Sequence, residues 1–192
     1  MIAIVKYNAG NIKSVQNALS RLGYKSLITD NPDELRSAEK VIFPGVGEAG
    51  TAMQYLKERG LDAAILSLKQ PVLGICLGLQ LMCNHSEEGD TKCLGIFDSE
   101  VKLFPPVEKI PHMGWQNFFT LKGELFEGVK VTDDLYYVHS YYADISSSTT
   151  ATCDYILPFS CAMQKDNFYA TQFHPEKSAA VGERILKNFL EI

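Results

Sequence analysis

Three residues at two distant places in the chain could together perform nucleophilic catalysis. Cys76 lies in a segment that reads Gly-Ile-Cys-Leu-Gly, and His174 and Glu176 lie near the C-terminus, separated by one proline. A thiolate, a histidine base and a carboxylate that orients the histidine are an established combination for covalent catalysis. The pattern therefore predicts a Cys-His-Glu set in which the thiol is the nucleophile.

The residues around Cys76 predict a sharp turn from a strand into a helix. The run from Pro71 to Ile75 is apolar and typical of a buried strand, and the composition from Leu77 to Asn84 favours a helix. The two flanking glycines leave room for a nucleophile elbow that carries sulfur in place of oxygen. Unpaired N–H groups at a helix N-terminus favour a thiolate. The alternative is an unreactive buried cysteine, the common fate of a free thiol.

The position of His174 supports the catalytic interpretation. It follows a predicted strand from Asn167 to Phe173 and precedes a proline, which favours extended backbone. Residues two apart in an extended segment point to the same side, so Glu176 can orient the imidazole ring. A structural histidine is the alternative, but it would not explain the elbow upstream.

Composition restricts the class of protein. The chain has 192 residues, of which 46% are hydrophobic and 21% charged, so residues 1–192 are expected to form a single domain. A net charge of −5 argues against a nucleic-acid partner. No apolar stretch is long enough for a membrane span, and the N-terminus lacks a signal-peptide layout. The five cysteines show no zinc-site spacing, so no metal site is predicted and a reducing, cytoplasmic location is expected.

The order of predicted elements indicates an α/β fold with a central, mostly parallel sheet flanked by helices. Strands alternate with helices from Ile2 to Ile75, as in parallel sheets with crossover helices. The second half adds a mixed or antiparallel region, with strands expected at Gly95–Phe97, at Asn117–Thr120 and from Leu135 to Ile145. A closing helix is expected from Ala179 to Leu190.

Several loops should meet at one edge of this sheet. Gly10, Gly45 and Cys76 each follow a predicted parallel strand, and the functional cleft of such sheets lies at the carboxyl ends of the strands. Asn11 directly precedes the first helical pattern and is predicted to be its N-cap.

The segment Gly45–Gly50 matches the Gly-x-Gly-x-x-Gly pattern of dinucleotide sites. It follows the third strand rather than the first, and the residues about twenty positions later contain no acid that could bind a ribose. Dinucleotide binding is therefore the less favoured interpretation.

Five motifs together resemble those of the class I (triad) glutamine amidotransferases, and more narrowly the glutaminase subunit of imidazole glycerol phosphate synthase. The elbow and His-Pro-Glu are shared by all triad amidotransferases, whereas Pro-His-Met-Gly-Trp and His-Pro-Glu-Lys-Ser are more specific. The motifs occur in the family's order across nearly the whole chain and comprise Phe43–Gly47, Gly74–Gln80, Pro111–Trp115, Tyr137–Tyr141 and His174–Ser178.

The resemblance implies hydrolysis of glutamine to glutamate and ammonia without a cofactor. The catalytic residues would be Cys76, His174 and Glu176. Backbone N–H groups near Val46–Gly47 and that of Leu77 would form an oxyanion hole, in a loop whose small residues permit a peptide flip. The implied glutamine contacts are Gln80 and backbone groups of Gly47, Ser140 and Tyr141, and an ordinary interior strand is the alternative for the last two.

The resemblance also implies a heterodimer with a separate, barrel-shaped cyclase subunit. Ammonia would pass to that subunit for imidazole glycerol phosphate formation in histidine biosynthesis. The candidate docking residues are Met113, Trp115, Tyr136 and Lys177, and a core position is the alternative for Trp115. Three sites depart from the family's usual residues without touching the triad: Asn8–Gly10, Gln116 and Cys93–Gly95.

Two other interpretations remain open. A sibling glutaminase that serves anthranilate or pyridoxal phosphate synthesis would share the triad motifs, but typically lacks the two specific ones. A non-catalytic α/β module would carry Cys76 as a structural residue.

Overall fold

The computed structural model describes residues 1–192, which form fourteen strands and six α-helices. None of the helices is both long and apolar enough to cross a membrane. The strands are β1 (Ile2–Val5), β2 (Ser26–Thr29), β3 (Lys40–Phe43), β4 (Val72–Ile75), β5 (His85–Ser86), β6 (Thr91–Lys92), β7 (Glu100–Leu103), β8 (His112–Gln116), β9 (Thr120–Leu121), β10 (Leu135–His139), β11 (Tyr141–Ala143), β12 (Thr149–Tyr155), β13 (Leu157–Lys165) and β14 (Phe168–Thr171). The helices are α1 (Ile12–Arg21), α2 (Pro32–Ser37), α3 (Ala49–Glu58), α4 (Leu61–Ser67), α5 (Leu77–Met82) and α6 (Ala179–Glu191).

Twelve strands form one mixed sheet, and β8 and β10 form a separate antiparallel pair. The main order is β2-β1-β3-β4-β14-β13-β11-β7-β5-β6, with β12 on β13 and β9 on β12. The five strands from β2 to β14 in this order pair in parallel, and β13 begins the antiparallel region. The α/β prediction is confirmed, including its added region of mixed pairing.

Helices cover both faces of the sheet. Along β1, Ile2 and Ile4 pack in one hydrophobic cluster while Ala3 and Val5 pack in another, because successive strand residues point to opposite faces. The first cluster contains apolar side chains of α1 and α6, and the second contains those of α2 to α5. This packing fixes the strand ends that carry the site.

Three strand predictions are wrong in detail. Residues Gly95–Phe97 are not a strand, because their N–H groups donate to carbonyls of Met82 and Cys83 at the end of α5. The predicted strand Leu135–Ile145 breaks at Ser140, where the chain passes from the β8–β10 pair into the main sheet. Only Thr120 of the predicted strand Asn117–Thr120 lies in a strand.

Candidate active site

Cys76 occupies a strained turn between β4 and α5, as predicted. Its φ of 54° and ψ of −106° are unfavourable for a residue with a side chain. A Cβ added at Gly78 would lie 1.9 Å from the carbonyl oxygen of Phe43, so the turn fits only with glycine there. The backbone therefore holds the thiol in one place at the end of the strand.

The pairing of β4 with β14 places the two halves of the predicted Cys-His-Glu set side by side. Ile75 pairs with Thr171 in parallel register, so the chain continues into Cys76 on one strand and toward His174 on the other. Residues 98 positions apart thus meet at the carboxyl edge of the sheet, where the sequence predicted the site.

His174 and Glu176 form a buried pair. The distance from His174 Nδ1 to Glu176 Oε1 is 2.8 Å, and neither side chain is exposed to solvent. His174 has extended backbone, but residues Pro175–Lys177 form a 3-10 turn rather than the continued strand that was expected. The turn brings the carboxylate back to the ring, and the carboxylate fixes the proton on Nδ1.

Asn11 is the N-cap residue of α1, as predicted, but its side chain does not cap the helix. Asn11 has a φ of 73° and makes no side-chain cap bond. Its amide Nδ2 instead donates to Glu176 Oε1 and lies 3.3 Å from His174 Nδ1. Asn11 is thus a contact of the His174–Glu176 pair that sequence reasoning missed, because an asparagine before a helix is usually a local cap.

The charge state of His174 follows from its neighbours. Burial alone lowers the pKa of an imidazole, but the negative charges of Cys76 and Glu176 outweigh burial and raise the pKa of His174 to about 10. Its Nε2 atom is buried without a hydrogen-bond partner. This nitrogen is therefore available to deliver and receive a proton.

A cavity of about 280 Å³ opens beside Cys76, whose side chain reaches it with 6% of the residue exposed. Its lining includes seven of the residues predicted from the sequence and four that were not predicted. The predicted lining residues are Val46, Gly47, Cys76, Leu77, Gln80, Ser140 and Tyr141, and the others are Glu88, Pro111, Val138 and His139.

Hydrogen bonds determine how the Gln80 amide faces this cavity. Gln80 Nε2 donates to the carbonyl oxygen of Tyr141 and to Gln172 Oε1, both at 3.0 Å. Because a carbonyl oxygen only accepts, the nitrogen rather than the oxygen of the Gln80 amide must face the Tyr141 carbonyl. The free acceptor Oε1 is the atom that Gln80 can offer to a ligand.

Two buried histidines form a chain of hydrogen bonds that ends at the Tyr141 carbonyl. His139 Nδ1 lies 2.8 Å from that oxygen and so carries the proton, and His139 Nε2 accepts from His112 Nδ1 at 3.1 Å. Burial lowers the pKa of His139 to about 3 and that of His112 to about 4, which keeps both rings neutral. In the sequence, each of these two histidines lies in a mostly apolar or aromatic segment, and that is the signal by which the pair could have been found.

The predicted oxyanion loop adjoins the site in a closed arrangement. Leu77 N–H donates to the Gly45 carbonyl at 3.2 Å, and Gly10 N–H donates to the Val46 carbonyl at 2.9 Å. In a trans peptide the N–H points opposite to the carbonyl, so Val46 N–H faces away from Leu77 N–H. Gly47 has a φ of 150°, a value that glycine adopts more readily than residues with side chains. The Gly45 carbonyl thus already accepts the hydrogen bond of Leu77 N–H, which is the donor that an oxyanion would need.

The glycine pattern at Gly45–Gly50 does not offer a phosphate site. The Glu48 side chain accepts from Gly50 N–H and Thr51 N–H, both at 2.8 Å, and Glu88 accepts from Ala49 N–H at 2.9 Å. Two carboxylates therefore already bind the N-terminus of α3, where a phosphate would have to bind.

The predicted docking residues lie at the surface beside the catalytic pair. Trp115 is 53% exposed and Met113 56% exposed, so a core position for Trp115 is wrong. Trp115 packs edge-on against Tyr136, with ring centroids 5.8 Å apart. The Tyr136 carbonyl accepts from His174 N–H at 2.9 Å, and Lys177 is exposed three residues further along.

Comparison with known proteins agrees with this geometry. The family model described as Glutamine amidotransferase class-I matches residues 3–192. The chain belongs to that family, and the resemblance inferred from the motifs is confirmed.

Its relatives include proteins named imidazole glycerol phosphate synthase subunit HisH. One from Bacteroides fragilis is 60% identical and one from Bacteroides thetaiotaomicron 58% identical, each aligned over 100% of this chain and 99% of the relative. The protein of that name from Escherichia coli is 43% identical with the same coverage.

Solved structures show the same fold at low sequence identity. A glutamine amidotransferase gives a TM-score of 0.72 at 17% identity, and PurLQS from Thermotoga maritima gives 0.74 at 14%. Each match covers 99% of this chain and 97% of the other.

Replacing His174 with asparagine should slow alkylation of Cys76 by iodoacetamide about tenfold at pH 7. The imidazolium, whose pKa is raised to about 10, is charged throughout the neutral range and stabilises the thiolate. The difference should shrink as the pH approaches 10, where the wild-type ring loses its proton and thiols ionise unaided. Mass spectrometry of the labelled peptide between pH 6 and 10 measures the rates.

The other four thiols should not interfere with this measurement. Burial raises the pKa of Cys83, Cys93, Cys153 and Cys161, so all four resist alkylation in the folded chain. A Cys76→Ala variant that incorporates no label is the control. Equal rates for wild type and the His174→Asn variant at pH 7 would show that His174 does not stabilise the Cys76 thiolate.

Proposed function

We propose that this chain is the glutaminase subunit of an imidazole glycerol phosphate synthase, with residues 1–192 acting as one amidotransferase domain. It hydrolyses glutamine to glutamate and ammonia and passes ammonia to a separate cyclase subunit for histidine biosynthesis. The observation that carries the proposal is the buried His174–Glu176 pair beside an elbow cysteine, on neighbouring parallel strands. The relatives named above support the particular synthase.

The proposed chemistry begins with Cys76 as the nucleophile. Its thiolate attacks the side-chain carboxamide carbon of glutamine, which forms a C–S bond. His174 Nε2–H gives its proton to the leaving nitrogen, the C–N bond breaks, and ammonia and a γ-glutamyl thioester result. The same nitrogen then takes a proton from water, the resulting hydroxide attacks the thioester, and the thiolate leaves as glutamate forms. Glu176 holds the ring through Nδ1 during both steps.

The cavity supplies groups that suit the amino-acid end of glutamine. Gln80 Oε1 and the Glu88 carboxylate are acceptors for the ammonium group, and backbone groups of Gly47, Ser140 and Tyr141 complete the pocket. Burial raises the pKa of the Glu88 carboxyl, and the opposite charge of a bound ammonium would favour its ionised form.

A flip of the Gly45–Val46 peptide would complete the oxyanion hole. It would withdraw the Gly45 carbonyl from Leu77 N–H and turn Val46 N–H toward the same point. The two donors would then stabilise the negative oxygen of the tetrahedral intermediates.

The proposed docking surface for the cyclase subunit consists of Met113, Trp115, Tyr136 and Lys177. On β8 the side chains alternate, so His112 points inward to the buried histidine pair while Met113 and Trp115 point outward. A partner bound here would contact a strand whose inner side supports the Tyr141 carbonyl.

The five cysteines are free thiols, which supports a cytoplasmic location.

Replacing Trp115 with alanine should weaken binding of the cyclase subunit about thirtyfold, because exposed tryptophans at an interface commonly dominate its affinity. Isothermal titration calorimetry with the purified cyclase measures the change. Tyr24→Ala is the matched control, since Tyr24 is 38% exposed but precedes β2 and so lies at the amino ends of the parallel strands, whereas the site lies at their carboxyl ends. Equal affinity of the two variants would remove Trp115 from the docking surface.

The function is tested by supplying glutamine and the phosphorylated acceptor substrate of the cyclase to the purified chain together with the cyclase subunit of the same organism. Formation of glutamate and of imidazole glycerol phosphate in equal amounts is expected. Glutamate formation with an anthranilate synthase or pyridoxal phosphate synthase partner, but not with the cyclase, would instead identify a sibling glutaminase. No glutamate with any partner would favour a non-catalytic module.

A further inference from the structure

Gln172 makes a direct contact with the candidate nucleophile. It follows β14 beside the elbow, and it is fully buried. Its Nε2 atom lies 3.6 Å from Cys76 Sγ. No motif in the sequence points to a role for this residue.

The hydrogen-bond network fixes which end of the Gln172 amide faces the sulfur. Gln172 Oε1 accepts from Gln80 Nε2, whose other proton goes to the Tyr141 carbonyl. That carbonyl cannot donate, so neither amide can turn over without losing a buried hydrogen bond. The N–H of Gln172 is therefore held toward Cys76.

The sulfur has a second polar neighbour with the opposite preference. The Val138 carbonyl oxygen lies 3.9 Å from Cys76 Sγ and can accept a bond from the neutral thiol. The same oxygen repels a thiolate, whereas the Gln172 N–H attracts one. The Gln172 amide thus counteracts a carbonyl that favours the unreactive form.

We propose that Gln172 is a further catalytic residue, which donates its Nε2–H to the Cys76 sulfur and stabilises the thiolate. The contact serves twice, once when the thiolate attacks and again when it leaves the thioester as the water-derived oxygen adds. This inference rests on the proposed function, because it requires Cys76 to be the nucleophile.

The test measures alkylation of Cys76 by iodoacetamide in the complete chain, without glutamine or partner. Gln172→Met keeps the length and volume of the side chain but lacks the N–H, and should react about five- to tenfold more slowly at pH 7. Gln172→Asn keeps a buried amide that stops one methylene short of the sulfur, and should show a similar loss. If the methionine variant does not fold, the asparagine variant decides.

Thr171→Val is the matched control. Thr171 is also fully buried, and its hydroxyl donates to the Phe173 carbonyl at 3.1 Å rather than to the sulfur. This variant should alkylate at the wild-type rate although it also loses one buried hydrogen bond.

Steady-state kinetics with the cyclase subunit separate direct action on the sulfur from indirect placement of Gln80. Direct action lowers kcat about tenfold with little change in KM for glutamine. A raised KM with unchanged alkylation would overturn the proposal, since it would show that Gln172 only positions Gln80. Unchanged kinetics of both variants would overturn it as well, while an inactive wild-type complex would instead count against the proposed function.

Discussion

Replacing Cys76 with alanine should reduce glutamate formation from glutamine by at least about a thousandfold in the complex with the cyclase. Without the sulfur there is no thioester, and water would have to attack the carboxamide directly. Glutamate release, measured with a coupled dehydrogenase assay, gives the loss. The loss should appear in kcat rather than in KM for glutamine, because the other groups that line the cavity are unchanged.

Two controls accompany this variant. The same complex supplied with an ammonium salt and the cyclase's acceptor substrate should form imidazole glycerol phosphate at the wild-type rate, since the cyclase chemistry needs ammonia but not the thiol. Cys153→Ala, at a fully buried thiol on β12, should retain glutaminase activity. Glutamate formation by Cys76→Ala close to the wild-type rate would exclude Cys76 as the nucleophile.

The isolated chain should hydrolyse glutamine at least about a hundredfold more slowly than the chain bound to the cyclase and the cyclase's own ligand. In the closed loop the Gly45 carbonyl occupies Leu77 N–H, and Val46 N–H points elsewhere. One oxyanion donor contributes about 2.7–4 kcal/mol to the transition state, so missing donors predict a loss of that size. Assays of kcat and KM with and without the partner measure it.

Alkylation of Cys76 provides the control for this second prediction. Iodoacetamide reacts with the thiolate by displacement at carbon and develops no oxyanion, so the closed loop should leave the alkylation rate of the isolated chain largely unaffected. A chain that alkylates readily but hydrolyses slowly would locate the defect in the loop. Full turnover by the isolated chain would contradict the closed loop as a resting state.

Local motifs allowed the catalytic geometry to be predicted, because short-range sterics determine it. A glycine-flanked cysteine between a strand and a helix has few possible conformations, and the strained backbone at Cys76 agrees with that expectation. The His-Pro-Glu spacing likewise limits how far the carboxylate can lie from the ring, although the structure uses a 3-10 turn.

Contacts between distant parts of the chain could not be predicted in the same way. Asn11 and Glu176 are 165 positions apart, and nothing near Asn11 distinguishes a residue that contacts a carboxylate from an ordinary cap. Gln172 resembles any polar residue at the end of a strand until the neighbouring strand is placed. The orientation of the Gly45–Val46 peptide depends on the hydrogen bonds at Leu77 and Gly10, which only the folded loops provide.

The turn of residues 8–11 touches both parts of the machinery, and this makes their states interdependent. Gly10 N–H holds the Val46 carbonyl, while the adjacent Asn11 amide holds Glu176. A displacement of the turn that frees the loop also moves the Asn11 amide, so the oxyanion loop and the surroundings of Glu176 should rearrange together. Residual turnover by unpartnered chains would then come from a small, fully competent subpopulation, and single-molecule or pre-steady-state measurements should show a mixture instead of uniformly weak catalysts.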